Sequence, residues 1–251
     1  MCAWWEVDRV FKLIRGELYR LLHKKSMYIY FGVLAVCYLL LAFVRSGGFD
    51  TESVVDDSIT FFNFLPALAG GFLFSAIYTD DLNAKNLITL VGYGLGKTKI
   101  VLAKLILMLL FGAAVFGLAP LYHCGVYALL GHGATAGQLG IIYAASLKFL
   151  LLTVAYAALS GIVVYGFQRT TFAIVVYILF GFYVIRTLLT TVAKLLGLNI
   201  QNYLLSGITD RIFSGMVVGG SVVFPILEYL VYIAAAVALS ALAFNKKEME
   251  F

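Results

Sequence analysis

The chain has 251 residues, 63% of them hydrophobic and only 12% charged, against about 45–50% and about 25% in an ordinary globular domain. This composition excludes a soluble enzyme as the main body, since no polar segment is long enough to form one, and it is that of a membrane protein. The net charge of +5 does not signal nucleic-acid binding, because basic residues of membrane chains gather at the cytoplasmic ends of spans.

Residues 1–26 come first. Val7, Val10, Phe11, Ile14, Leu18 and Leu21 recur at helical spacing, while Arg9, Lys12 and Arg20 lie off that stripe. The pattern predicts an amphipathic helix lying flat in the inner interface, with the lipid bilayer as its first partner. A surface anchor and a lever for a cytoplasmic partner fit it equally well. Residues 27–251 then form one membrane domain. A spanning helix needs about 20 mainly apolar residues. Six stretches qualify, at 27–44, 59–79, 100–122, 141–166, 171–191 and 222–244. The first has no small-x-small cleavage pattern after Val44 and reads as a retained anchor. Strand-type alternation is missing, which excludes a β-barrel. The expected fold is therefore an all-α membrane protein with six transmembrane helices and an N-terminal interface helix.

Three features refine the six spans. Pro66 and Gly70-Gly71 predict a break in the second. Gly166 to Thr170 predicts a tight turn between the fourth and fifth. Residues 192–221 are too apolar for a solvated loop and predict short helices in the outer interface or packed between spans. Basic residues set the orientation. Arg9, Lys12, Arg15, Arg20, Lys24, Lys25, Lys85, Lys97, Lys99, Arg169, Lys246 and Lys247 fall on one side, against Arg45, Lys194 and Arg211 on the other. The positive-inside rule puts both termini in the cytoplasm.

The segment Gly94-Leu95-Gly96-Lys97-Thr98 looks like the end of a phosphate-binding loop. A Walker A motif requires a first glycine at position 91, which is Val91 here. Gly92 and Gly94 are out of register. The stretch reads instead as a flexible basic turn without a nucleotide site of its own. Catalytic motifs are equally missing: there is no Ser/His/Asp set and no H-E-x-x-H. Cys2, Cys37 and Cys124 are scattered, which argues against a disulfide framework. His123, Cys124 and His132 are expected to share one loop, but without a carboxylate they do not make a metal site. No directly bound cofactor or metal is expected.

Three charges fall inside the expected spans: Lys148, Arg186 and Glu228. Such residues are costly in lipid and face a partner or a watery cavity. Their positions place all three at similar depth in the outer half, and Glu228 is expected to pair with Lys148 or Arg186. That pair either locks helices together or lines an exit path.

Between the second and third spans, Asp80 and Asp81 are followed by Leu82 to Leu90 with Lys85, then by Gly94, Gly96, Lys97, Lys99 and Ile100, and then by Lys104. Here the sequence resembles the type-two membrane permeases of ATP-binding-cassette exporters. That family has an interface helix, an acidic end to the second span and a small-basic-x-Lys-Ile turn. The small-basic pair, commonly Ser-Arg in the family, is Gly96-Lys97 here. The resemblance implies an ATPase-coupling loop carrying Asp80, Asp81, Lys85, Gly94, Gly96, Lys97 and Lys99, beside an interface helix carrying Phe11, Arg15 and Arg20. It implies partners: ABC ATPase subunits that hold ATP and Mg2+, and a second permease copy or paralogue. The chain would be a multi-pass permease subunit of a bacterial plasma membrane, exporting a hydrophobic or amphipathic substrate such as a peptide, antibiotic or lipid, with no enzymatic activity of its own. A stand-alone carrier or channel and a non-transporting immunity or scaffold protein are the competing readings.

Overall fold

A computed structural model describes residues 2–45, 53–79, 91, 96–131 and 133–246. Helix α1 spans Cys2–Leu22 and α2 spans Lys25–Arg45. Helix α3, Ser53–Phe74, runs on into a π-helical turn at Ser75–Thr79. Then follow α4 (Lys97–Leu129), α5 (Ala136–Phe167), α6 (Thr170–Gly181), α7 (Val184–Leu195), α8 (Leu205–Val218) and α9 (Val223–Lys246). Among the described residues there is no strand. Four helical stretches are long and apolar enough to cross a bilayer: 54–78, α4, α5 and α9. The α6–α7 pair makes a fifth if it counts as one crossing, and α2 has a shorter apolar stretch at Lys25–Leu40.

Helix α5 is the hub and packs against α3, α4, α6, α8 and α9. Its start is written locally. Thr135 caps the helix and Gln138 returns the bond, with Gln138 N–H on Thr135 Oγ1 at 3.4 Å and Thr135 N–H on Gln138 Oε1 at 2.8 Å. This capping box satisfies backbone donors that have no partner inside the helix. Its buried run Ala155, Ala157, Ala158, Ser160 and Gly161 is small, which lets neighbouring backbones approach where apolar contact alone gives no drive in lipid. The expected turn before α6 is present, with Gln168 in the left-handed region at φ +52°.

Several expectations are corrected. Gly70-Gly71 does not break α3, which continues to Phe74. These glycines serve packing: a Cβ on Gly70 would collide with Tyr177 Oη, which in turn donates to Pro66 O at 3.0 Å. On the facing helix, a Cβ on Gly181 would lie 2.7 Å from Ala67 Cα. The break falls in the expected fifth span instead, where α6 and α7 diverge by 64°. Tyr183 makes the corner at φ +59°, a conformation costly for a residue with a side chain and held by its surroundings. The third span extends through Pro120 to Leu129, so His123 and Cys124 lie in a helix and not in a loop. His123 is buried, within 2.9 Å of Tyr38 Oη and stacked on Tyr127. His132 lies outside the described residues.

Helix α2 is held by hydroxyl groups and rings. Tyr30 donates to Leu68 O at 2.9 Å and stacks on Phe72 at 4.1 Å, and Tyr122 donates to Ala35 O at 2.7 Å. The apolar segment after α7 folds as expected into short helices. Of these, α8 packs on α5 and α9.

Candidate functional site

Two clusters of charge stand out, at opposite ends of the helical body. The first joins α1 to the body. Glu17 and Leu21 are buried there, with Ile14 and Leu18 half-buried beside them. Positions 14, 17, 18 and 21 share one face of a helix. Glu17 sits in an otherwise apolar face because a cation meets it. Lys104 Nζ of α4 lies 3.2 Å from Glu17 Oε2, with the lysine side chain 1% exposed. Arg20 Nη2 donates to the same oxygen at 2.7 Å and reaches Ala76 O at 3.4 Å. Ala76 lies in the π-helical turn, where the changed register re-aims backbone carbonyls. One carboxylate thus ties α1 to the start of α4 and, through Arg20, to the end of α3.

The same end holds what is described of the expected coupling loop. Gly96 is the residue before α4, and Lys97 opens the helix. Lys97 Nζ donates to Phe244 O at 2.9 Å and lies 5.2 Å from the Phe244 ring centre. It therefore caps the C-terminal carbonyls of α9, where the helix dipole favours a cation. Lys99 is half-buried in the first turn of α4, next to the buried Ile100. Asp80, Asp81, Lys85 and Gly94 lie outside the described residues. Phe11, placed on the apolar stripe by spacing, is 67% exposed, and Arg15 is exposed too. The protein-facing side of α1 is the one with Glu17.

The second cluster contains the three charges of the expected spans, but not as expected. Glu228 pairs with neither Lys148 nor Arg186. Its partner is Arg211 of α8, which also donates to Asn202 O at 3.1 Å. Lys148 and Arg186 converge on Asp210 instead, with Lys148 Nζ at 2.6 Å from Oδ1 and Arg186 Nη2 at 3.8 Å from Oδ2. Asp210 and Arg211 are neighbours on α8, so they point about 100° apart. One faces α5 and α7, the other α9. The expected pairing fails because apolarity marks residues 192–221 only as a connection between spans. A signal is present in the sequence: Asp210-Arg211 is an adjacent acid–base pair in an apolar stretch, and such a pair needs partners.

Around Asp210 lies a polar cavity of about 240 Å³ lined by Asn63, Lys148, Leu152, Tyr183, Arg186, Ser206 and Asp210. Tyr183 donates to Asn63 Oδ1 at 2.9 Å, so the α6–α7 corner is fixed to α3 at the cavity wall. The same bend carries Arg186 into the lining. A second cavity of about 250 Å³ shares Arg186 and Ser206, and its remaining wall is apolar or aromatic, with Tyr156, Leu159, Phe180, Ile185 and Leu189. Among the described residues no group of three His, Cys, Asp or Glu comes together as a metal site. No protein-family profile matches the chain and no curated protein is detectably similar to it in sequence, so the functional reading rests on these residues and their geometry.

Proposed function

We propose that this chain is the membrane-spanning permease subunit of an ATP-driven exporter, working with separate ATPase subunits and a second permease copy or paralogue. Helices α2, α3, α4, α5, α6–α7 and α9 are its six crossings, and both termini face the cytoplasm, where most basic residues lie. Substrate moves as the permease shifts between two pathway states, each favoured by a different state of the ATPase.

The attachment of α1 supports this reading most. A permease without a nucleotide site is driven only through cytoplasmic contacts. Glu17, Arg20 and Lys104 link the interface helix to α3 and α4, the two helices that flank residues 80–95. A push on α1 or on that segment therefore reaches both helices through partly buried charge-assisted contacts, which do not slide as apolar contacts do. Lys97 extends the link to the end of α9.

Gentle purification from host membranes tests the proposal. A stoichiometric soluble ATPase that is lost when Asp81, Lys85 and Lys97 are changed to Ala is the expected result. A folded permease that never retains an ATPase overturns it, and transport in membranes free of any ATPase favours a stand-alone carrier.

A further inference from the structure

The second cluster contains more than a structural ion pair needs. Two cations, Lys148 and Arg186, share one carboxylate, Asp210, which leaves the polar cavity with one net positive charge. Lys148 takes the close contact at 2.6 Å, while Arg186 stands off at 3.8 Å, beyond hydrogen-bond distance. Ser206 adds a second and independent observation. It is 3% exposed, and its hydroxyl has no hydrogen-bond partner among the described residues. A buried hydroxyl without a partner is costly and calls for an acceptor. Ser206 and Arg186 are the two residues that line both cavities. The unspent donors therefore sit where the polar compartment meets the apolar one.

We propose that the two compartments form one binding site for a single-chain amphiphile with an anionic oxyacid head. The head takes the polar compartment, with its oxygens on Arg186 and the Ser206 hydroxyl and with Lys148 close by. The chain takes the apolar compartment beside Leu189 and Phe180. Together the volumes fall in the ~300–1,000 Å³ range of small-molecule pockets. Asp210 keeps the two cations from repelling each other when the site is empty, yet leaves an excess charge for the ligand. A cationic head gains nothing here, and a head without a chain leaves the apolar compartment unfilled. This site deepens the exporter reading by naming the charge and shape of its cargo, but binding is measurable without ATPase or transport, so each fails separately.

The test uses the full chain in a neutral maltoside detergent, titrated with dodecyl phosphate and followed by native mass spectrometry. Dodecyltrimethylammonium controls for chain partitioning and inorganic phosphate for the head alone. One dodecyl phosphate per chain is expected, with the cationic amphiphile and inorganic phosphate binding at least about tenfold more weakly, as the loss of a charged hydrogen bond implies. Arg186→Gln should weaken dodecyl phosphate about tenfold, and Ser206→Ala by a smaller factor. Leu189→Trp, which fills the apolar compartment, should weaken it while leaving the melting temperature unchanged. Equal binding of the anionic and cationic amphiphiles overturns the proposal. So does full binding by Arg186→Gln or Leu189→Trp. Should Arg186→Gln fail to fold, full binding by both Ser206→Ala and Leu189→Trp overturns it equally.

Discussion

The Glu17 triad of the first cluster and the Asp210 triad of the second have the same parts and different settings. Each has one carboxylate facing one lysine and one arginine. In the first, Glu17 is buried, Arg20 donates to it at 2.7 Å and Lys104 is 1% exposed. In the second, the Asp210 side chain is 42% exposed and Arg186 stands at 3.8 Å beside a cavity. A buried carboxylate and lysine packed between helices hold those helices together. A half-exposed carboxylate whose arginine stands beyond hydrogen-bond distance beside a cavity leaves room for a ligand. Burial of the carboxylate and the adjoining cavity, and not the residue types, separate a latch from a binding site.

This contrast ranks the mutations. The largest effect is expected for Lys104→Met, which leaves Glu17 buried with a lost cation. Removing one partner of a buried pair costs ~3–5 kcal/mol. Melting in detergent should drop accordingly, and protease should reach α1. Adding Glu17→Leu should restore part of the loss. If Lys104→Met melts like the parent, the latch is no tighter than a surface pair.

Next comes Gly181→Ala, whose new methyl would meet the Ala67 backbone at 2.7 Å. Backbone does not yield as a side-chain tip does, and overpacking of this kind costs ~1–3 kcal/mol. Because Gly181 precedes the bend that positions Tyr183 and Arg186, dodecyl phosphate binding should weaken along with stability. Stability lost without any change in binding would uncouple the bend from the cavity.

Lys97→Ala removes a charged hydrogen bond to Phe244 O at a cost of about 1.5 kcal/mol, and hydrogen exchange at the C-terminal end of α9 should rise. Glu228→Gln should have the smallest effect, about 0–1 kcal/mol, since both it and Arg211 are about one-third exposed or more. A loss as large as that of Lys104→Met would show that this pair is a second latch.

Much of the fold is legible in the sequence because helical crossings are written as long apolar runs. The turn at Gln168 and the amphipathic α1 follow from local chemistry. The bend at Tyr183 is not legible. Next to it Gly181 lies against Ala67 across helices, too close for a side chain, and spacing carries no such information. Gly70 misleads for the same reason: it looks like a flexible joint and is the floor under Tyr177. The charges Lys148, Arg186 and Glu228 are visible as costly residues, but their pairing is hidden, because Asp210 and Arg211 lie on a helix that apolarity alone marks only as a connection. Glu17 is invisible as a core residue, since its burial makes sense only once Lys104 faces it.

The most direct test compares the two clusters in one experiment: melting temperature with and without dodecyl phosphate for the parent chain, Lys104→Met and Arg186→Gln. The account predicts that Lys104→Met lowers the melting temperature yet gains as much stability from the ligand as the parent does, whereas Arg186→Gln melts like the parent and gains clearly less at the same ligand concentration. The reverse assignment, with Arg186→Gln unstable but still stabilised by ligand, or with Lys104→Met stable, would contradict it.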